Sequence, residues 1–164
     1  MTVARDPQQP GQESVWDYPR PPIAVRCDKR VVIVHCGVTI ADTQNAVRTL
    51  ETSHPPTYYL PPTDVLMSAL HPVDGGSFCE WKGHARYFDV IVEGQRLAKA
   101  AWTYPAPTAN FAALRDHLAF YAAPFEGCFV GGEQVTPQPG GFYGGWITTD
   151  LSGPFKGVPG SQFW

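Results

Sequence analysis

No stretch of this sequence holds the roughly 20 consecutive apolar residues that a membrane-spanning helix needs, so a membrane partner is not expected. Basic residues are too few and too scattered to form a phosphate-binding stripe. Twelve Lys and Arg stand against fifteen Asp and Glu, for a net charge of −3 and a pI near 5.9. Nucleic acid is therefore not an expected partner either. The four cysteines, at 27, 36, 79 and 128, form no C-x-x-C pair. That leaves no zinc knuckle, no redox motif and no dedicated metal site, although a mixed Cys/His site assembled from distant residues stays open. Met1 to Gly11 contain no apolar segment of the kind that leads a secretory signal. Together with the cysteine spacing, this points to free thiols in a reducing, cytoplasmic compartment. Three common templates are missing: G-x-x-x-x-G-K-[ST], G-x-G-x-x-G after a strand, and G-x-S-x-G.

What is present is a chain of 164 residues, the length of one domain, with 16 Gly, 17 Pro and 21 aromatic residues counted as 5 Trp, 7 Tyr and 9 Phe. Charged residues make up 16%, below the usual quarter or so. Turns should be plentiful and long helices few. The expected division is a flexible arm at 1–14, a single β-rich domain at 15–135, and a Gly/Pro/aromatic tail at 136–164. The tail holds too many aromatics to be disordered, so it is expected to pack on the domain or on a second subunit.

The most informative stretch runs from Ser77 to Pro107. Two apolar and aromatic runs flank Glu93-Gly94-Gln95, the short-range signal for a β-hairpin. With a Gly94-Gln95 loop, Glu93 faces Arg96, Ile91 faces Ala98, Asp89 faces Ala100, Tyr87 faces Trp102 and Ala85 faces Tyr104. Moving the loop to Glu93-Gly94 shifts the partners but keeps the same residues on the same side, because side chains alternate with period two. One face then carries large aromatics beside small alanines, which leaves a concavity. The other, with Phe88, Val90, Val92, Leu97 and Ala101, is the core face. A strand through Cys79, Glu80, Trp81 and Lys82 is expected to lead into the hairpin.

A second hairpin is predicted from Arg30 to Asp42, turning at Cys36-Gly37, followed by a strand at Val47–Glu51 and a short extended piece at Tyr58-Tyr59-Leu60. Thr63 to Leu70 and Pro107 to Leu118 have helical spacing of apolar residues and predict two short helices. The motif W-x-Y-P-x-P occurs twice, at Trp16 and at Trp102. It reads either as aromatic clamps on the core or as two walls of a ligand groove.

The order A-D-T (41–43), L-E-T (50–52), P-P-T-Y-Y-L-P (55–61), S-F-C-E-W-K-G-H-A-R-Y-F (77–88), A-W-T-Y-P-A-P (101–107) and A-F-Y (119–121) resembles the domain-of-unknown-function 427 family. W-D-Y-P-R-P-P near the start and G-P-F-K-G-V-P-G near the end resemble its longer members. The resemblance implies a mainly β, two-sheet domain of the β-tent type. Relatives with that fold often hold zinc through two C-x-x-C pairs, which this sequence lacks. The family is also catalogued as nucleotidyltransferases, although this sequence has no Gly-Ser and paired-Asp pattern to hold metal and triphosphate.

Lys82, Glu51 and Cys79 are the candidate catalytic residues. A lysine leaving a strand at Gly83 can bind an anion or, if desolvated, act as a base or nucleophile. The alternative is an ion pair with Glu80 or Glu51. Cys79 is a nucleophile if a cation lowers its pKa and otherwise buried filler. Tyr59, Tyr87, Trp102 and Tyr104 form the candidate binding wall, with Gly83 and Asp42 beside it. Three functions stay open. The first is a small-molecule binder or enzyme with an unidentified ligand and cofactor. The second is a non-catalytic interaction module or a homo-oligomer joined through its tail, and the third is a nucleotidyltransferase, as the resemblance implies.

Overall fold

Runs of Val, Ile and Thr broken by Gly-containing turns build strands, and strands dominate the molecule, a computed structural model that describes residues 2–164. Val31–His35 and Val38–Thr43 form the second predicted hairpin. Its turn, Cys36-Gly37, has φ of 51° and 71°, the left-handed pair that a tight two-residue hairpin requires. Gly127–Val130 and Glu133–Gln134 extend this into a four-stranded sheet. Ile23–Cys27, Ala46–Leu50 and Thr57–Tyr59 make a three-stranded sheet.

The long hairpin of Gly83–Val92 and Gln95–Thr103 anchors a five-stranded sheet with Leu118–Phe120, Leu70–Pro72 and Ser77–Cys79. Two short two-stranded ladders are added to these, so among the described residues the strands pair into five small sheets where two were expected. The physical reason is proline and glycine. Breaks such as Pro55-Pro56 and Pro61-Pro62 deny the ladder its N–H donors and divide what would otherwise be continuous sheets.

The long hairpin turns at Glu93-Gly94, with φ of 49° and 77°, and pairs Val92 with Gln95 and Val90 with Leu97. The opposition of Asp89 to Ala100 and of Ile91 to Ala98 is therefore corrected. Tyr87 does face Trp102, because a bulge at Ala98–Ala100 shifts the register back. Lys99 takes a φ of 49° in that bulge, and the carboxylate of Asp89 holds it by accepting the Lys99 N–H at 2.8 Å and Arg96 Nε at 2.6 Å.

The two expected helices are not α-helices. Both segments are 3₁₀ turns, at Pro62–Asp64, Met67–Ala69 and Ala109–Leu114, the last broken at Phe111. Each runs too few residues between prolines or strands to close an α-helical ladder, although Phe111 and Leu114 do bury as the spacing required.

The five-stranded sheet packs on both faces, each against its own buried cluster. Val90, Val92, Ala101, Leu118 and Phe120 pack with Ile33, Ile40 and Val31 in the main core. Ala85, Trp102, Tyr104 and Ala119 turn the other way, toward Tyr59, Phe111 and Leu114. The tail closes on the body through Trp146, which is 1% exposed, stacks on Tyr58 at 5.3 Å and donates its indole N–H to Phe120 O at 3.0 Å. Truncating a buried Trp costs about 3–5 kcal/mol, enough to make this anchor a major part of a domain's net stability. At the other end, Glu13–Ser14 pairs in parallel with Leu151–Ser152, and Trp16 lies 5.5 Å from Trp164.

Candidate functional site

The strand expected through Cys79, Glu80, Trp81 and Lys82 ends at Cys79. Cys79 pairs with Gly83, and the three residues between them form the loop of a small hairpin. Gly83 has a φ of 108°, which reverses the chain. Thr108 then clamps the loop from behind, donating its hydroxyl to Trp81 O at 2.6 Å and its N–H to Lys82 O at 3.1 Å. In a regular strand Cys79 and Lys82 would sit on opposite faces. This loop brings both to the edge of one groove of about 530 Å³.

That groove is lined by Lys82, Glu51, Cys79, Tyr59, Tyr87, Trp102 and Tyr104, all named from the sequence. Two candidates lie elsewhere. Asp42 is bound at the surface by Arg30, with bonds of 2.8 and 2.6 Å that hold its carboxyl below the usual range. Gly83 is buried behind the rim, where a Cβ would come within 3.3 Å of Ala106 O.

Within the aromatic end, Tyr59 meets Trp102 edge-on at 6.5 Å and Tyr104 at 6.2 Å. Burial pushes the phenols of Tyr59 and Tyr104 upward, so both stay neutral donors. Trp102 also packs on Tyr121 at 4.8 Å, and the Tyr121 hydroxyl donates to Phe142 O at 3.2 Å. Gly144 passes so close that a Cβ there would lie 2.2 Å from the Trp102 ring.

The polar end contains residues that the sequence reading did not name. His54 follows Glu51 in a turn and stands 3.6 Å from its carboxylate, which also faces Arg20 at 3.4 Å. Gln138, from the tail, is buried and fully bonded. Its Oε1 accepts the Gly145 N–H at 3.0 Å, and its Nε2 donates to Lys156 O at 2.9 Å and to His54 Nδ1 at 3.0 Å. Tyr143 meets the His54 ring edge-on at 4.7 Å, with Lys156 Nζ 5.6 Å above its own ring. Burial, then the charges of Lys156, Arg20 and Lys82, push the imidazole of His54 down to about 3. At neutral pH it is uncharged and is not poised as a base.

The signal for these residues was partial. T-S-H-P-P and G-P-F-K-G are visible as motifs, but nothing local says that they meet. Among the described residues no cluster of three or more His, Cys, Asp or Glu side chains suits a metal ion, and no described helix is long and apolar enough to cross a membrane. No curated protein matches the chain. The profile of the family described as "Domain of unknown function (DUF427)", which carries a nucleotidyltransferase-type label, matches residues 23–131, most of the chain, and the protein belongs to that family.

Proposed function

We propose that the groove binds a small molecule, with Tyr59, Tyr87, Trp102 and Tyr104 as the wall and Lys82 and Glu51 as the polar working groups. One observation carries the reading. Lys82 lines an aromatic groove yet makes no ion pair among the described residues, neither with Glu80 nor with Glu51. A half-buried cation left without a carboxylate is available to a ligand.

The test is a thermal-shift screen against nucleotides with magnesium, sugars and aromatic acids, repeated on Lys82→Ala. A ligand at about 100 times its Kd adds roughly 2.7 kcal/mol, worth several degrees in a chain of this size. Lys82→Ala is expected to remove that shift. Its own Tm is expected to fall by only about 1–3 °C, because the ammonium gives up a contact with the Phe111 ring at 5.7 Å, worth about 0.5–1 kcal/mol. Binding retained with a large loss of Tm would make Lys82 structural.

A second reading, an interaction module, is favoured by Phe142 and Phe163, which are 77% and 92% exposed on the tail. Size-exclusion chromatography of Phe142→Ser/Phe163→Ser against wild type tests it. The nucleotidyltransferase reading rests on the family label and predicts a shift only when nucleotide and magnesium are supplied together.

A further inference from the structure

Resting on the small-molecule reading of the groove, we infer that its polar end is an anion subsite in which Lys82 and Lys156 take the carboxylate or phosphate of a ligand whose flat ring lies against Tyr87.

The chain as a whole carries a net charge of −3, yet Arg20, Lys82 and Lys156 are the cations that bear on His54. Glu51 is the carboxylate beside them, and Arg20 at 3.4 Å already answers it. Glu80 lies exposed on the loop, outside ion-pair reach of either lysine. Lys82 is thus left without a carboxylate, and Lys156 gives one hydrogen bond to Trp164 O, which Arg20 shares at 3.3 Å, so the groove keeps a surplus of positive charge. Like charges there repel, and a bound anion removes the repulsion.

The second lysine is pre-positioned. The backbone of Lys156 is held on both sides, its N–H by Ser53 O at 2.9 Å and its carbonyl by Gln138 Nε2 at 2.9 Å. Its ammonium donates one hydrogen bond to Trp164 O at 3.3 Å, which leaves donors to spare. Gln138 is a positioning residue here, since its remaining bonds to Gly145 and His54 fix the amide in place. The aromatic walls adjoin this end, so a ring and an acid on one small molecule can be held together. Lys156, Gln138 and Tyr143 all lie beyond residue 131, where the family match stops. The anion subsite is therefore a property of the tail-bearing chain and not of the matched region alone.

The experiment is calorimetric titration of the full chain with benzoate, phenylacetate, indole-3-acetate, phenyl phosphate, phenylacetamide and inorganic phosphate, on wild type, Lys156→Met and Lys156→Arg. At least one aromatic anion is expected to bind tenfold or more tightly than the neutral amide. Lys156→Met is expected to weaken that anion about tenfold without changing the amide, and Lys156→Arg to restore most of the loss. Preference for phenyl phosphate over the carboxylates identifies the head group as phosphate, and the reverse identifies a carboxylate. Equal binding of phenylacetate and phenylacetamide, unchanged in Lys156→Met, overturns the anion subsite while leaving the small-molecule site standing. Inorganic phosphate bound alike by wild type and Lys156→Met also overturns it. If no ring compound binds in either charge state, the subsite falls, and the small-molecule reading falls with it when the nucleotide and sugar screen is blank as well.

Discussion

The side-chain amide of Gln138 decides the tautomer of His54. Its Oε1 is committed to the Gly145 N–H and its Nε2 to Lys156 O, so the 3.0 Å contact with His54 Nδ1 is a donation from Gln138. Nδ1 must then be unprotonated, and the ring proton sits on Nε2, facing Glu51 at 3.6 Å. A buried imidazole held neutral this way cannot charge without losing that bond.

His54 is accordingly expected to show the Nε2–H tautomer by nitrogen NMR and no titration between pH 8 and 5. Its folded value, about 3, lies below the ordinary 6.5. The stability it contributes is full above about pH 6.5 and is lost as pH falls toward 3, by up to about 3–5 kcal/mol. Urea unfolding of wild type and His54→Gln at pH 7, 5 and 4 checks this. A constant difference between the two proteins over that range would contradict it.

Asp89 is expected to make the long hairpin acid-sensitive too, by losing a charge in acid where His54 gains one. The Lys99 N–H, then the Arg96 guanidinium, hold its carboxyl below the ordinary 3.8. A depressed carboxyl contributes stability that is present above about pH 4 and fades as pH falls through its folded value. Asp89→Asn is therefore expected to be less stable than wild type at pH 7, with the gap closing below pH 4. Acid titration of both by circular dichroism reads it, and a gap that widens in acid would be the wrong sign.

Gly144→Ala is expected to lift the tail from Trp102, because the new Cβ would sit 2.2 Å from the ring. Overpacking of this kind costs about 1–3 kcal/mol, or roughly 2–10 °C of Tm at this chain length. A red shift in tryptophan emission is expected with it. An unchanged Tm and spectrum would mean that the tail does not rest there.

The thiols are expected to divide by burial. Cys27 and Cys128 are buried, and burial pushes Cys128 up to about 12. Cys36 and Cys79 are half-buried. Iodoacetamide on the native protein, read by peptide mass spectrometry, is expected to label Cys36 and Cys79 and spare the other two until denaturant is added. Ligands of the groove are expected to protect Cys79 and leave Cys36 unchanged. Rapid labelling of Cys128 in the native state would contradict the packing.

The local sequence determined much of this protein. Alternating apolar residues and positive-φ turn positions specify both hairpins and which residues of the long one share a face, Tyr87 with Trp102 and Tyr104 on one side and Val90 with Ala101 on the other. These are legible because they depend on period-two alternation and on which residues tolerate a tight turn, both local properties. The register was legible only in part, since a bulge held by one buried carboxylate shifts it, and nothing in the spacing marks where a strand takes an extra residue. The two expected helices failed for a related reason: apolar spacing predicted burial correctly, but the chain between breaks was too short for more than a 3₁₀ turn.

The polar end of the groove was decided by tertiary structure alone. His54 and Gln138 are 84 positions apart, and Lys156 lies farther still along the chain. Their meeting depends on Trp146 seating the tail against Tyr58 and on glycines that let it cross Trp102. Hydrogen bonds and charge interactions act over a few ångströms of space and carry no trace in sequence separation. Lys82 could be singled out from C-E-W-K-G, but what surrounds it comes from the folded chain.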